Sequence, residues 1–127
     1  RYERLINKLC LRESIIFTSY ISESQKRALF RNCRAFVFLS SHEGFGRPII
    51  EALREGCPII VSDIDIFREI AKDFASYVDI RNEFCLVEIF KRGLVKTNKR
   101  DVLNYLYNTF DVEKLAKKML KKFIILC

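Results

Sequence analysis

A chain of 127 residues suits one compact domain and leaves little room for a second. Half the residues are hydrophobic and only two are proline and four glycine, which excludes a disordered or low-complexity segment. The net charge of +7 comes from 23 basic side chains mixed with 16 acidic ones. No basic stripe interleaves with aromatics, so nucleic acid is not an expected partner.

Five cysteines, Cys10, Cys33, Cys57, Cys85 and Cys127, show neither metal-ligand spacing nor an even count for pairing. They read as reduced thiols of a cytoplasmic protein. No apolar run approaches the length needed to span a bilayer.

In chain order, Leu5, Ile6, Leu9 and Cys10 share one face of a helix over 2–10. Ile15-Ile16-Phe17 is apolar and β-branched, which predicts a short buried strand. Ser22 or Ser24 offers an N-cap for a helix over 25–34, with Ala28, Leu29 and Cys33 on its apolar side. Ala35 to Leu39 is apolar throughout, as expected of a parallel strand covered on both faces. A polar loop, 40–47, follows. Pro48 then opens a helix where its missing N–H is no loss, and Gly56 ends it.

Pro58 to Val61 is the next buried strand, ending at Ser62 and Asp63. A short helix over 67–72 and a strand over 75–78 come next, then two or three helices from 84 to 126. Asp111 is the expected cap of the last helix, whose apolar stripe is Leu115, Ala116, Met119, Leu120 and Phe123. Strands alternating with helices imply right-handed βαβ units. The expected fold is α/β and Rossmann-like, a parallel sheet flanked by helices, in a single domain over 1–127.

Ligands of open parallel sheets bind beyond the carboxyl ends of the strands. The loop Ser40-Ser-His-Glu-Gly-Phe-Gly-Arg47 sits at that edge. Gly44 and Gly46 lack a Cβ, so backbone N–H groups can approach a bound group closely. The helix that follows aims its positive dipole end at the same place, which favours a phosphate. Glu43 and Glu51 bracket the loop, and carboxylates accept hydrogen bonds from vicinal hydroxyls. Phosphate and hydroxyls together describe a nucleotide sugar. A tight turn with two solvated glutamates is the alternative reading of the same spacing.

The stretch from Glu43 to Asp63, EGFGRPIIEALREGCPIIVSD, closely resembles the signature of glycosyltransferase family 4, including its Glu-x7-Glu pair. The resemblance covers residues 5 to 80 well and the C-terminal helices only in general. It implies two Rossmann-like domains in the GT-B arrangement, with this chain in the C-terminal, donor-binding half. It also implies sugar transfer from a nucleoside diphosphate sugar, with retention of configuration, to a glycan or lipid-linked acceptor in polysaccharide biosynthesis. On matching positions, Glu51 would bind the ribose hydroxyls. Glu43, the catalytic candidate, would contact the donor sugar, and Gly44, Phe45 and Gly46 would line sugar and phosphate.

Arg47 stands where the motif often has an aliphatic residue and is either a phosphate contact or solvated. No cofactor and no metal are expected. Counterparts of the family's diphosphate-gripping arginine and lysine and of its N-terminal acceptor domain are missing, so a truncated chain that is inactive alone is expected. A non-catalytic nucleotide-binding regulatory module would have the same pocket and is the alternative.

His42, the only histidine, lies in the loop beside Glu43 but has no evident orienting partner for acid–base work. Ser40, Ser41, Ser62 and Asp63 end strands at the ligand edge, where they either line a pocket or form turns. Cys57 reads as packing and Glu69 as structural. Lys114, Lys117, Lys118, Lys121 and Lys122 are either a solvated helix face or a peripheral contact with anionic lipid at the inner face of the cell membrane.

Overall fold

The sheet grows from three apolar runs. In a computed structural model, which describes residues 2–82 and 84–111, strands β1 (Phe36–Phe38), β2 (Ile59–Ser62) and β3 (Ala75–Val78) pair in that order, all parallel. Phe36, Val37 and Phe38 face Ile59, Ile60 and Val61, and β2 continues onto Ala75 to Val78. Ile59, Ile60 and Val61 are at most 2% exposed. Burying each such side chain contributes roughly 1.5–3 kcal/mol, so β2 anchors the domain.

Helix α3 (Arg47–Glu55) crosses from β1 to β2, and α4 (Asp65–Ala71) crosses from β2 to β3, followed by one tight turn over Lys72–Phe74. Helices α1 (Tyr2–Lys8), α2 (Glu23–Asn32), α5 (Phe84–Arg92) and α6 (Lys99–Phe110) complete the described chain. The fold is therefore α/β and Rossmann-like, a parallel three-stranded sheet flanked by helices, as the alternating pattern implied. No described helix is long and apolar enough to cross a membrane.

Helix α3 is the centre of the packing. Ile49, Ala52 and Leu53, spaced three and four apart, are fully buried, and the helix packs against α2, α4 and α6. Its end follows from local chemistry. Gly56 adopts φ +80°, its N–H donates to the Leu53 carbonyl, and the Cys57 N–H donates to that of Ala52. This 6→1 and 5→2 pair closes the helix and turns the chain into β2.

Several expectations are corrected. Ile15 to Phe17 form no strand: Ile15 keeps an extended backbone, but no ladder pairs the segment, and Ile16 and Phe17 are 84% and 70% exposed. A β-branched run encodes extension, whereas pairing needs a neighbour in space that local sequence does not reveal. In consequence β1 is an edge strand of the described sheet, and Val37 is exposed rather than covered on both faces.

On α2 the capping box joins Ser22 and Gln25, so the cap is Ser22. The side facing the core carries Phe30, while Leu29 is half exposed and Ala28 is exposed. Leu29 and Ala28 instead line an open groove of about 560 Å3 with Thr18, Ile21, Gln25, Asn32 and Cys33. Helix α1 buries none of its residues, and Cys10 is exposed at φ +54° rather than packed. Helix α4 starts at Asp65, earlier than expected.

Cys33 and Cys57, 24 residues apart, lie with their sulfurs 3.1 Å from each other, and both are free thiols. Cys57 is buried in the core, and burial, and then the Cys33 thiol, push it up to about 12, as suits a packing group. Asp111 follows the end of α6. The helix it was expected to cap, with Leu115 to Phe123 and the five C-terminal lysines, lies outside the described residues.

Candidate functional site

The loop after β1 is braced from below. Ser62, the last residue of β2 and fully buried, accepts a hydrogen bond from the Ser40 N–H at 2.8 Å, which ties the loop's first residue to the neighbouring strand. The Ser40 hydroxyl donates to the His42 carbonyl at 2.6 Å, so these serines build the turn. Replacing Ser62 by Ala should leave the Ser40 N–H without its partner. The expected loss is about 1–3 kcal/mol, read as a lower midpoint in chemical denaturation, with wild-type stability as the contrary result.

Gly46 is the hinge between loop and helix. It caps α3 at φ +70°, and a Cβ there would meet the Phe67 ring at 3.2 Å and Ile49 Cδ1 at 3.3 Å. Gly44 differs: a Cβ at that position would meet nothing within 4 Å. No side chain caps α3, whose second residue is Pro48 and not its first as expected. Pro48 has no N–H and the Ile49 N–H donates to the Gly46 carbonyl at 2.9 Å, which leaves the positive end of the helix and the Arg47 N–H open to the loop.

Glu43 is exposed and makes no ion pair or side-chain hydrogen bond with another described residue, as suits a group waiting for a ligand and equally a solvated turn. Glu51, one turn inside α3, is one-third exposed. One of its oxygens lies 2.8 Å from Lys26 Nζ on α2, and the other lies 4.0 Å from Arg47. Arg47 is otherwise solvated, with 83% of its side chain exposed. Lys26 also meets Glu23 at 2.9 Å, and the two carboxylates, Glu51 first, hold its ammonium above the ordinary value.

His42 is exposed, and its Nδ1 lies 3.4 Å from the Ser41 hydroxyl. Among the described residues no carboxylate bonds to the ring to orient it for general-base work. Asp63 pairs in two parallel hydrogen bonds with Arg68, at 2.6 and 2.8 Å, and this keeps its carboxyl below the usual range. Arg68 also lies over the Tyr77 ring at 4.2 Å. Asp63 therefore builds the edge of the sheet, and Glu69 is exposed, its carbonyl accepting from the Tyr105 hydroxyl. Among the described residues no group of three or more His, Cys, Asp or Glu side chains could hold a metal ion.

Two contributors escaped the sequence reading. Lys26 reaches the motif from another helix, and no local spacing announces that contact. Phe110, at the end of α6, meets the ring of Phe45 edge-on at 5.9 Å, and Tyr105 meets Phe110 in turn. An aromatic chain therefore ties the loop to α6.

The profile of the family described as "Glycosyl transferases group 1" matches residues 1–121. Among curated proteins, the serotype-specific mannosyltransferase WbdA of Escherichia coli is 37% identical over 75 residues, 59% of this chain and 9% of that protein. The O-antigen chain mannosyltransferase RfbU of Salmonella typhimurium is 35% identical over 81 residues, 64% of this chain and 23% of its own length. The GDP-mannose:cellobiosyl-diphosphopolyprenol alpha-mannosyltransferase of Xanthomonas oryzae pv. oryzae is 34% identical over 73 residues, 58% of this chain and 19% of its own. The chain thus spans less than a quarter of each of these relatives. No solved structure matches. With an α/β sheet, a glycine loop entering an uncapped helix and a family profile covering nearly its whole length, the chain belongs to the glycosyl transferases group 1 family.

Proposed function

We propose that this chain is the donor-binding part of a retaining glycosyltransferase of family 4, the C-terminal half of a GT-B enzyme that acts in polysaccharide biosynthesis. The observation that carries the reading is the loop 43–46 running into the uncapped N-terminus of α3, with Glu51 one turn further on. A diphosphate placed there meets the Arg47 N–H and the helix dipole. The vicinal hydroxyls of the ribose reach Glu51, and the open space at Gly44 admits the sugar beside Glu43. Three relatives named as mannosyltransferases make mannose the first donor sugar to test, and the GDP-mannose enzyme of Xanthomonas oryzae makes GDP the first nucleotide.

Transfer breaks the bond between the anomeric carbon and the diphosphate oxygen. A new bond forms from an acceptor hydroxyl oxygen to that carbon on the same face, and the hydroxyl proton is released. The leaving diphosphate gains negative charge as the bond breaks, and the N-terminus of α3 is oriented in advance to meet it. Glu43 holds the sugar's hydroxyls while charge develops at the anomeric carbon. No metal and no further cofactor takes part in this reading, and the enzyme works at the inner face of the cell membrane.

Aligning donor with acceptor and excluding water takes a second domain. The isolated chain should therefore bind GDP and GDP-mannose but transfer no mannose. Calorimetry and a radiolabelled transfer assay with glycan and polyprenyl diphosphate acceptors test this. Transfer well above donor hydrolysis by the chain alone would contradict the division of labour, and absence of binding to either ligand would contradict the donor-site reading.

A further inference from the structure

We propose that Lys26, on a helix outside the signature, is a positioning residue that fixes the carboxylate of Glu51 for the vicinal hydroxyls of a ribose. The inference rests on the reading of Glu51 as the ribose acceptor and adds the residue that aims it. Lys26 Nζ lies 2.8 Å from one Glu51 oxygen and 2.9 Å from Glu23. Lys26 and Glu51 are about 70% shielded from solvent, with 28% and 31% of their side chains exposed, whereas Glu23 is 81% exposed. The ammonium is thus held between a solvated carboxylate on its own helix and a sheltered one on α3. The Ser22–Gln25 capping box fixes the first turn of α2, from which Lys26 projects.

A salt bridge of this exposure adds little to folding stability. Its consequence is orientational. A glutamate on a helix surface samples several rotamers, and ordering it on ligand binding lowers affinity. With one oxygen tethered to Lys26, the other oxygen keeps its lone pairs free for a pair of hydroxyls. Arg47 approaches that second oxygen only at 4.0 Å and does not occupy it.

Calorimetry with GDP tests the idea in five forms of the chain: wild type, Lys26→Met, Lys26→Arg, Glu51→Gln and Lys26→Met with Glu51→Gln. Methionine keeps the unbranched stem and the helix propensity. Lys26→Met should weaken GDP binding by roughly three- to tenfold with the thermal midpoint nearly unchanged, and Lys26→Arg should restore most of it. In the Glu51→Gln background the loss of Lys26 should have no further effect. Wild-type affinity in Lys26→Met while Glu51→Gln binds weakly would overturn the inference and leave the donor site standing. Additive losses would overturn it too, because Lys26 would then act independently of Glu51. If Glu51→Gln itself changes nothing, the underlying reading of Glu51 fails.

A second readout needs no ligand. Three-bond couplings should report one dominant χ1 rotamer for Glu51 in wild type and in Lys26→Arg, and averaging in Lys26→Met. A Glu51 rotamer unaffected by Lys26→Met overturns the inference.

Discussion

Replacing Glu51 by Gln is expected to lower the affinity for GDP and for GDP-mannose alike, by about ten- to a hundredfold. The carboxylate accepts hydrogen bonds from the ribose, a part common to both ligands, and losing a charge-assisted hydrogen bond costs roughly 1.5–3 kcal/mol. Glu43→Gln should behave differently. It should leave GDP affinity nearly unchanged and remove only the extra affinity contributed by the sugar, because Glu43 stands on the loop while Glu51 stands inside α3. Calorimetry with the two ligands separates the roles. Equal weakening of GDP by both substitutions would show the roles to be misassigned. No effect from either would leave the loop as a turn with two solvated glutamates.

The two loop glycines should separate just as clearly, this time between fold and ligand. Gly46→Ala places a side chain at φ +70°, a conformation that costs a non-glycine residue roughly 1–2 kcal/mol. Its Cβ would also press on Phe67, itself fully buried, and on Ile49. A fall in thermal midpoint of roughly 5 °C or more is expected for a domain of this size. Gly44→Ala meets open space and no left-handed backbone, so its midpoint should stay at the wild-type value. If the space at Gly44 receives the ligand, the same methyl should weaken GDP-mannose binding. Thermal melts with and without ligand test both. A Gly46→Ala variant as stable as wild type would contradict the hinge, and a Gly44→Ala variant with unaltered binding would remove the loop tip from the site.

What could be read from the sequence was what is encoded locally. Pro48, Gly56 and Pro58 punctuate the chain, and the helix and strand between them fall within a residue or two of the expected ends. The two glutamates, the glycines and the helix that receives the loop were legible for the same reason, since they lie within nine residues of one another. What needed a partner in space was not legible. Ile15 to Phe17 have a strand's composition but no ladder. The inward side of α2 is Phe30 and not Leu29, because α3 and not helical periodicity alone decides which side is covered. The pairing of Lys26 with Glu51, the bond between Ser40 and Ser62, and the contact of Phe45 with Phe110 span 25, 22 and 65 residues. No spacing rule reaches across such separations.

On the proposed function, a nucleoside diphosphate binds where the loop enters α3. The most direct measurement is a 1H–15N correlation spectrum of the labelled chain titrated with GDP. Binding there should give the largest shifts at the amides of Gly44, Phe45, Gly46 and Arg47, with smaller changes at Lys26. A different groove of about 480 Å3, lined by Arg34, Pro58, Gly93 and Lys96 among others, lies at the opposite end of the strands and serves as the internal control. Largest shifts there, or no shifts at any amide of the loop at saturating GDP, would contradict it.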